Sequence, residues 1–368
     1  MSIWGIFKYF APLALSGVVL ISGSSARSTP DPTPADIVGM AATPNPTPGG
    51  YWLLDADGRV YAFGSAQHSG DNLNTPNPSP DGFVDMVASP EPSPDGHWLV
   101  DSAGRVLAFG AAKYFGDNTT SPNPTPDGIV GVATWPHPSP TGYWLLDANG
   151  RVLSFGTAPH LGDNFSQPDP NPPGFVGMTN VQEPTPDGYW LVDNDGRVLA
   201  FGNAEHLGDV PNPTPGGIVA IEGIPDPPGR QAYWVVDIVG RVFTFGEAEH
   251  HGDLTANPST IGIADISVTP DGLGYWLADI AGRVYAFGNA PFLGDLMAPA
   301  PTPPPGPPAV GGKAGLLDGT GSSQPANTDT SRGIEGLLAP AVALSAAALG
   351  FAMWWLLARP RGGWDTPK

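Results

Sequence analysis

Residues 51–64 read Tyr-Trp-Leu-Leu-Asp-Ala-Asp-Gly-Arg-Val-Tyr-Ala-Phe-Gly, and close copies of this stretch follow five more times along the chain. The tryptophans of successive copies are 46, 46, 46, 44 and 42 residues apart. They are Trp52, Trp98, Trp144, Trp190, Trp234 and Trp276. Self-similarity at a period of about 20 to 50 residues indicates a repeat architecture, in which each unit is one supersecondary motif. The fold therefore depends on what one unit forms and on how six units meet.

The sequence of each unit predicts four short antiparallel strands. An apolar segment such as 37–41 comes first, the segment around the tryptophan is second, and the segment that begins with Arg-Val is third. These segments are rich in β-branched and aromatic residues and are bounded by turn residues, which is typical of strands. Asp55 and Gly58 fit the first and fourth places of a type I turn, which predicts a hairpin between the second and third strands. A weaker fourth strand is expected at about residues 67–70, before the Gly-Asp pair that ends every unit.

The six units are expected to close into a ring. Apolar residues occur on both faces of the predicted strands, so each sheet must be covered on both sides. An open solenoid would leave two apolar end faces, and neither end of the array has a polar capping repeat. We therefore predict an all-β fold, a six-bladed β-propeller with four-stranded antiparallel blades, over residues 36–295. Its repeats are expected at about 36–72, 82–118, 128–164, 174–210, 217–254 and 261–296.

The repeat also resembles known propeller repeats. In the last unit, Thr269-Pro270-Asp271-Gly272 is followed by Tyr275, Asp279, Arg283 and Phe287. This order resembles the NHL and YVTN class of propeller repeats. It is also similar to a tandem bacterial repeat built on Gly-Tyr-Trp-Leu-Val, Asp-Gly and Phe-x-Phe-Gly, which is found in secreted and surface proteins. The resemblance implies a propeller, and Pro-rich insertions such as 43–48 and 75–80 depart from the pattern.

The N-terminus has the features of a secretory signal. Lys8 precedes an apolar run at 10–21, and small residues follow, which predicts a signal peptide over 1–26 with cleavage after Ala26. An uncleaved signal anchor is the alternative. Residues 27–35 then form a short linker to the propeller.

The C-terminus predicts a membrane anchor. Residues 337–357 contain no charge and are long enough, at 21 residues, to cross a bilayer as a helix. The positive residues that follow predict that the tail, 358–368, is cytoplasmic. Residues 296–333 are rich in Pro, Gly and Ser and are expected to form an extended stalk. The chain is thus expected to be a single-pass plasma-membrane protein whose propeller lies outside the cell.

Composition excludes several function classes. The 368-residue chain has no cysteine, so disulfides, thiolate zinc sites and cysteine nucleophiles are excluded. Its formal net charge of −20 opposes binding to a phosphate backbone, and no nucleic-acid partner is expected. No Ser-His-Asp order, phosphate loop or nucleophile elbow is recognisable.

The residues that break the repeat symmetry are the best candidates for a site. The third place of the first strand holds two acids among small residues: Gly39, Asp85, Gly131, Gly177, Ala220 and Asp265. Glu222 lies two places after Ala220. Asp85, Glu222 and Asp265 could face the central channel and hold a cation, and Ca²⁺ is the one cofactor that the sequence suggests. The alternative is that these are isolated, solvated acids.

Two repeated polar patterns are interpreted structurally. One position of the repeat, which we call the histidine slot, holds four histidines and two other aromatic residues. In chain order they are His68, Tyr114, His160, His206, His250 and Phe292. Since a single slot traces a wide ring, a shared metal is excluded and aromatic packing is expected. Asp55-x-Asp57-Gly58 begins like a calcium loop but lacks its twelfth-place Glu, so turn formation is expected instead. The repeated Arg and Gly-Asp are expected to be structural as well, with Arg paired to a carboxylate in the hairpin or across blades.

Two functions remain after these exclusions. The sequence favours a membrane-anchored extracellular binding or scaffold module, without catalysis, whose partner is an extracellular protein or a cell-wall polymer. The alternative is a calcium-dependent propeller hydrolase or lyase that uses Asp85, Glu222 and Asp265. An enzyme requires nonrepeated polar groups that converge in one pocket, and the sequence supplies few of them.

Overall fold

The computed structural model describes residues 36–44, 49–80, 82–90, 96–135, 142–172, 174–181, 187–211, 216–224 and 231–297. Within those ranges, eighteen strands form six antiparallel sheets of three strands each. We number the sheets blades 1 to 6 in chain order. The strands are β1 (Ile37–Ala42), β2 (Gly50–Asp55), β3 (Val60–Gly64), β4 (Phe83–Ala88), β5 (His97–Asp101), β6 (Val106–Phe109), β7 (Ile129–Trp135), β8 (Gly142–Asp147), β9 (Val152–Gly156), β10 (Phe175–Asn180), β11 (Gly188–Asp193), β12 (Val198–Gly202), β13 (Ile218–Gly223), β14 (Ala232–Asp237), β15 (Val242–Gly246), β16 (Ile263–Val268), β17 (Gly274–Asp279) and β18 (Val284–Gly288).

The first strands of the six blades surround a central axis. Each first strand contacts the first strand of the next blade, and β1 contacts β16. The Ile37 N–H donates to the Ile280 carbonyl at 2.8 Å, which joins blade 1 directly to blade 6. The sheets therefore form a closed, six-bladed, propeller-like ring, in agreement with the sequence.

The second strands form the centre of each blade. Every residue of β2, β8 and the four equivalent strands is buried, so both faces of each sheet are covered. The six repeated tryptophans are 0 or 1 % exposed. Each one lies against an aromatic ring of the next blade, as Trp144 does against Tyr189 at a centroid distance of 5.0 Å. Trp276 contacts Tyr51 at 5.2 Å, so the same contact crosses the junction between the last and first blades.

The predicted fourth strand is wrong. Residues 67–70 and their equivalents belong to no sheet. The repeated tryptophan holds this segment instead, because its indole N–H donates to the carbonyl fifteen residues later at 2.8 or 2.9 Å in every blade. In blades 3 and 6 that carbonyl belongs to Pro159 and Pro291, which have no N–H to donate to a strand ladder.

A second repeated bond joins neighbouring blades. The tyrosine before the tryptophan donates its hydroxyl to the Gly carbonyl of the Gly-Asp pair in the preceding blade, as Tyr143 does to Gly116 at 2.5 Å. Tyr51 makes the same bond to Gly294 and closes the ring. Blade 2 has His97 in place of tyrosine, and its Nε2 lies 3.1 Å from the Gly70 carbonyl oxygen. The repeated Tyr-Trp pair thus fixes both the outer edge of its own blade and the contact with the previous one.

The links between blades 1, 2, 3 and 4 are held by a buried asparagine. In the link from blade 2, Asn118 Nδ2 donates to the carbonyls of Ala103 and Thr125 at 2.9 and 3.1 Å. Its Oδ1 accepts the Thr125 N–H at 2.9 Å. Asn72 and Asn164 make the equivalent three bonds. These links are therefore anchored at both ends.

Asn118→Ala is expected to lower the free energy of unfolding by about 1 to 3 kcal/mol, because it leaves buried backbone groups without partners. Urea unfolding of the full-length chain measures the change. Asn123→Ala, on the exposed part of the same link, is the matched control and should change stability by less than about 0.5 kcal/mol. Equal effects of the two substitutions would contradict the anchoring role of Asn118.

The predicted terminal segments cannot be compared with the structure. The signal peptide (1–26), the linker (27–35), the transmembrane span (337–357) and the tail (358–368) lie outside the described residues, as does the predicted stalk beyond residue 297. Among the residues that are described, no helix has the length and apolar character needed to cross a membrane.

Candidate functional site

A central cavity of about 750 Å³ lies on the axis and is lined by residues of all six first strands. Asp85, Glu222 and Asp265 all contribute to its wall. Its remaining described lining is apolar or uncharged, and no Lys, Arg or His is part of it. The structure thus brings the three predicted site residues, from blades 2, 5 and 6, into one cavity.

Two of the three carboxyls join neighbouring first strands. Asp85 accepts the Met86 N–H at 2.7 Å from its own strand and the Val132 N–H at 2.9 Å from blade 3. Asp265 accepts the Ile266 N–H at 2.8 Å and the Met40 N–H, in blade 1, at 2.7 Å. Both residues lie where the register of the first strand shifts, next to a β-bulge. Asp85 and Asp265 therefore have a structural role in addition to any ligand they hold.

Sequence reasoning missed two hydroxyls of the same wall. Ser267 Oγ accepts the Ala42 N–H at 2.9 Å, and Thr179 Oγ1 accepts the Gly223 N–H at 3.0 Å, in each case across a blade junction. Both occupy the position of the first strand that is equivalent to Glu222. This position comes two residues after the one that holds Asp85 in blade 2 and Asp265 in blade 6. The period-two alternation of a strand could have identified them, because residues two apart face the same side.

Glu222 differs from the two aspartates. Its carboxyl has no hydrogen-bond partner among the described residues, although it is surrounded by protein and only partly accessible. Burial, and then the nearby Asp85 carboxyl, raise its pKa to about 8. Burial likewise raises the pKa of Asp85 to about 7. The pKa of Asp265 is raised by burial and then by the Asp85 carboxyl. The cavity therefore favours a proton or a cation near neutral pH.

The geometry does not by itself make a metal site. In the described part of the chain, no group of three or more His, Asp or Glu side chains is arranged to hold a metal ion. Calcium binding by Asp85, Glu222 and Asp265 stays a prediction.

Glu222→Gln is expected to raise the free energy of unfolding at pH 8 by about 1 to 2 kcal/mol and to leave it nearly unchanged at pH 4. Because the folded-state pKa of Glu222 lies near 8, above its ordinary value of 4.5, the folded chain binds more protons than the unfolded chain between these values. Stability from this group is present at low pH and is lost as pH rises through that window.

Urea unfolding at pH 4, 6 and 8 measures the effect of Glu222→Gln. Glu249→Gln, on the exposed outer edge, is the control and should keep the pH profile of the parent. A Glu222→Gln profile that is parallel to the parent's across the whole range would contradict a buried, destabilising charge.

The repeated aspartate that ends the second strand, Asp55 in blade 1, is confirmed as a turn residue. In all six hairpins its Oδ1 accepts the backbone N–H of the arginine four residues later, at 2.8 or 2.9 Å. The arginine side chain returns to the same acid in blade 5, where Arg241 Nε lies 3.3 Å from Asp237, and in blade 4, where Arg197 lies 3.6 Å from Asp193. The predicted Arg-carboxylate pair is thus seen within the hairpin.

The prediction that the histidine slot is packed is wrong. The side chains of His68, His206 and His250 are 44, 51 and 45 % exposed, and Tyr114 and Phe292 in the same slot are 51 and 57 % exposed. The slot lies outside the sheet, on the segment that was expected to be a fourth strand, so no neighbouring strand covers it.

Comparison with models of protein families finds no match for this chain, and comparison with curated proteins finds none either.

Proposed function

We propose that this chain is a membrane-anchored extracellular propeller that acts as a binding or scaffold module for a protein partner or a cell-envelope polymer. The observation that carries the proposal is the set of three Pro-rich links that leave blades 1, 2 and 3. All three are held by a buried asparagine, and all three leave prolines exposed. Such a surface is suited to binding a partner.

The links are stiff before any partner binds. Each follows a short 3₁₀ turn and continues in extended backbone, with φ −84° and ψ 151° at Thr75 and similar values at Ser121 and Gln167. Thr125 Oγ1 donates to Asp147 of the next blade at 2.8 Å, and Ser79 bonds Asp101 in the same way. Prolines at 76, 78, 122 and 124 remain exposed. A preformed loop loses little conformational entropy when it binds, which favours recognition.

Charge indicates which partners this surface attracts. Residues 36–295 contain 30 Asp or Glu against 8 Lys or Arg. An acidic domain attracts basic groups, and this attraction weakens as salt rises. The partner is therefore proposed to present basic groups, on a protein or on an amine-bearing polymer of the envelope.

A pull-down with the tagged full-length chain from an envelope extract, over a series of salt concentrations, tests the proposal. Replacing 76–78, 122–124 and 168–170 with Gly-Ser-Gly should abolish capture of the partner. The matched control replaces the exposed link residues 255–257 of blade 5 and should keep it. Capture that survives the triple replacement would overturn the role of the links.

The anchoring part of the proposal rests on the terminal sequences. Deleting 337–357 is expected to move the protein from the membrane fraction to the soluble exported fraction, because the apolar span supplies the attachment. Fractionation with alkaline extraction measures this outcome. Replacing the tail residues 362–366 is the control and should leave the protein in the membrane, whereas retention after loss of the span would show a different anchor.

The second candidate function is the calcium-dependent hydrolase or lyase. It is favoured by the meeting of Asp85, Glu222 and Asp265 in one cavity. Simultaneous replacement by Asn or Gln should leave partner capture intact under the binding proposal. Calcium-dependent turnover that is lost in this triple variant would establish the enzyme instead.

A further inference from the structure

We propose that the central cavity is a binding site for a small aliphatic primary amine. Glu222, with Asp85 and Asp265 nearby, binds the ammonium group, and a ring of apolar side chains packs against the alkyl chain. None of the described residues of the Pro-rich links lines this cavity, so the site does not rest on the proposed binding function.

The apolar part of the site is formed by the second residue of every first strand. This residue is partly exposed in all six blades, although the residue before it is buried in each. These residues, which we call the apolar ring, are Val38, Val84, Val130, Val176, Val219 and Ala264. An alkyl group inside the ring removes apolar surface from water, which stabilises the complex. The cavity volume of about 750 Å³ is within the usual range for small-molecule sites.

The charged side chains of the cavity wall are all acidic. Among the residues that the structure describes, they are Asp85, Glu222 and Asp265. Both aspartates already accept two backbone N–H groups. Glu222 has no such partner in the described part of the chain, and burial, followed by the Asp85 carboxyl, raises its pKa to about 8. A cation that donates hydrogen bonds to Glu222 satisfies this carboxyl and offsets the repulsion between the acids.

The arrangement of the acids favours an ammonium group over a metal ion. The Asp85 carboxyl raises the pKa of both Glu222 and Asp265, so the three charges interact. No three of the described His, Asp and Glu side chains, however, are arranged to hold one metal ion. An ammonium group is a compact charge with three N–H donors, whereas a planar guanidinium suits one carboxylate in a bidentate pair. Carboxyls that approach from three blades therefore suit an ammonium group best.

The length of the ligand follows from the spacing along β13. Glu222 comes three residues after Val219 of the apolar ring. This spacing corresponds to about 10 Å of strand, a distance that an amine with about five carbons can bridge between the ring and the carboxyl. n-Pentylamine is therefore the probe of choice.

Binding of the amine is expected to release protons near neutral pH. The alkylammonium group stays charged there, because its pKa is about 10. Its charge favours the ionised form of the carboxyls and so lowers their pKa. Asp85, Glu222 and Asp265 are the titratable groups of the described cavity wall, so the affinity should fall as the pH is lowered from 8 to 5.

Calorimetric titration of the full-length chain with n-pentylamine hydrochloride, in nonionic detergent with a detergent-only blank, tests the proposal. We expect one amine per chain, and 1-pentanol and methylamine should each bind at least about tenfold more weakly, because one lacks the charge and the other the chain. Titration in two buffers of different ionisation enthalpy measures the released protons. Excess CaCl₂ should not displace the amine.

Two variants separate the acid from the apolar ring. Glu222→Gln should bind n-pentylamine at least about tenfold more weakly, whereas Glu249→Gln, on the exposed outer edge, should bind it like the parent. Melting curves verify that both variants are folded. Val130→Thr combined with Val176→Thr should weaken n-pentylamine binding several-fold and leave methylamine binding unchanged, because it alters only the contact with the alkyl chain.

Four results would overturn the proposal. They are n-pentylamine binding that is unaffected by Glu222→Gln, equal binding of 1-pentanol, no preference for n-pentylamine over methylamine, and displacement of the amine by calcium. The last result would assign the cavity to a metal ion and would favour the calcium-dependent enzyme.

Discussion

Replacing Trp144 with alanine is expected to lower the free energy of unfolding by about 3 to 5 kcal/mol, the usual cost of removing a large buried side chain. Trp144 is fully buried, and its ring lies against Tyr189 of the next blade. Its indole N–H also holds the Pro159 carbonyl at 2.8 Å. The substitution removes apolar contacts in the cluster between blades 3 and 4 and releases the outer segment at the same time.

Trp144→Phe separates these two contributions. Phenylalanine keeps an aromatic ring in the core but cannot donate to Pro159, so the loss should be smaller than that of Trp144→Ala. Chemical unfolding of the three proteins measures the difference. A loss below about 1 kcal/mol for Trp144→Ala would be typical of a surface position and would contradict the role of the tryptophan in the core.

Deletion of one repeat is expected to prevent closure of the ring and to abolish cooperative unfolding at the parent's melting temperature. Removing residues 129–174 deletes one period of 46 residues and joins Gly128 to Phe175, which reproduces the natural Gly-Phe junction at 174–175. With five blades, β1 and β16 can no longer meet in the observed geometry. The Tyr51 to Gly294 bond and the Met40 to Asp265 bond would then be lost.

A circular permutant is the matched control for this deletion. Ile37 and Leu296 both bond to the last hairpin, at Ile280 and Gly282, so the two ends of the described ring are close. Joining residue 297 to residue 36 through a short linker, with new termini at 213, keeps six blades and should retain cooperative melting. A five-blade variant that melts as cooperatively as the parent, at a similar temperature, would contradict closure by six blades.

The two expected effects differ in kind. Trp144→Ala weakens one blade and its junction, whereas loss of a repeat affects every blade, because a ring is stabilised only when its last junction forms. The melting curve distinguishes them, since the first variant should keep a single transition at lower temperature and the second should lose it.

The sequence by itself determined the number of blades, the first three strands of each and the buried position of the repeated tryptophan. These features depend on local turn chemistry and on a period that six copies make unambiguous. The hairpin role of Asp55 could be predicted for the same reason, since its partner, the Arg59 N–H, is only four residues away.

The features that depend on contacts between residues distant in sequence were decided only by the tertiary structure. The segment at 67–70 has the composition of a weak strand, yet the indole of Trp52 holds its carbonyl in place of a strand ladder, and the histidine slot is consequently exposed. Asp85 and Asp265 were predicted to face the axis, but their bonds to Val132 and Met40 connect residues 47 and 225 positions apart. No local pattern encodes such a bond, because it exists only once the blades have closed into a ring.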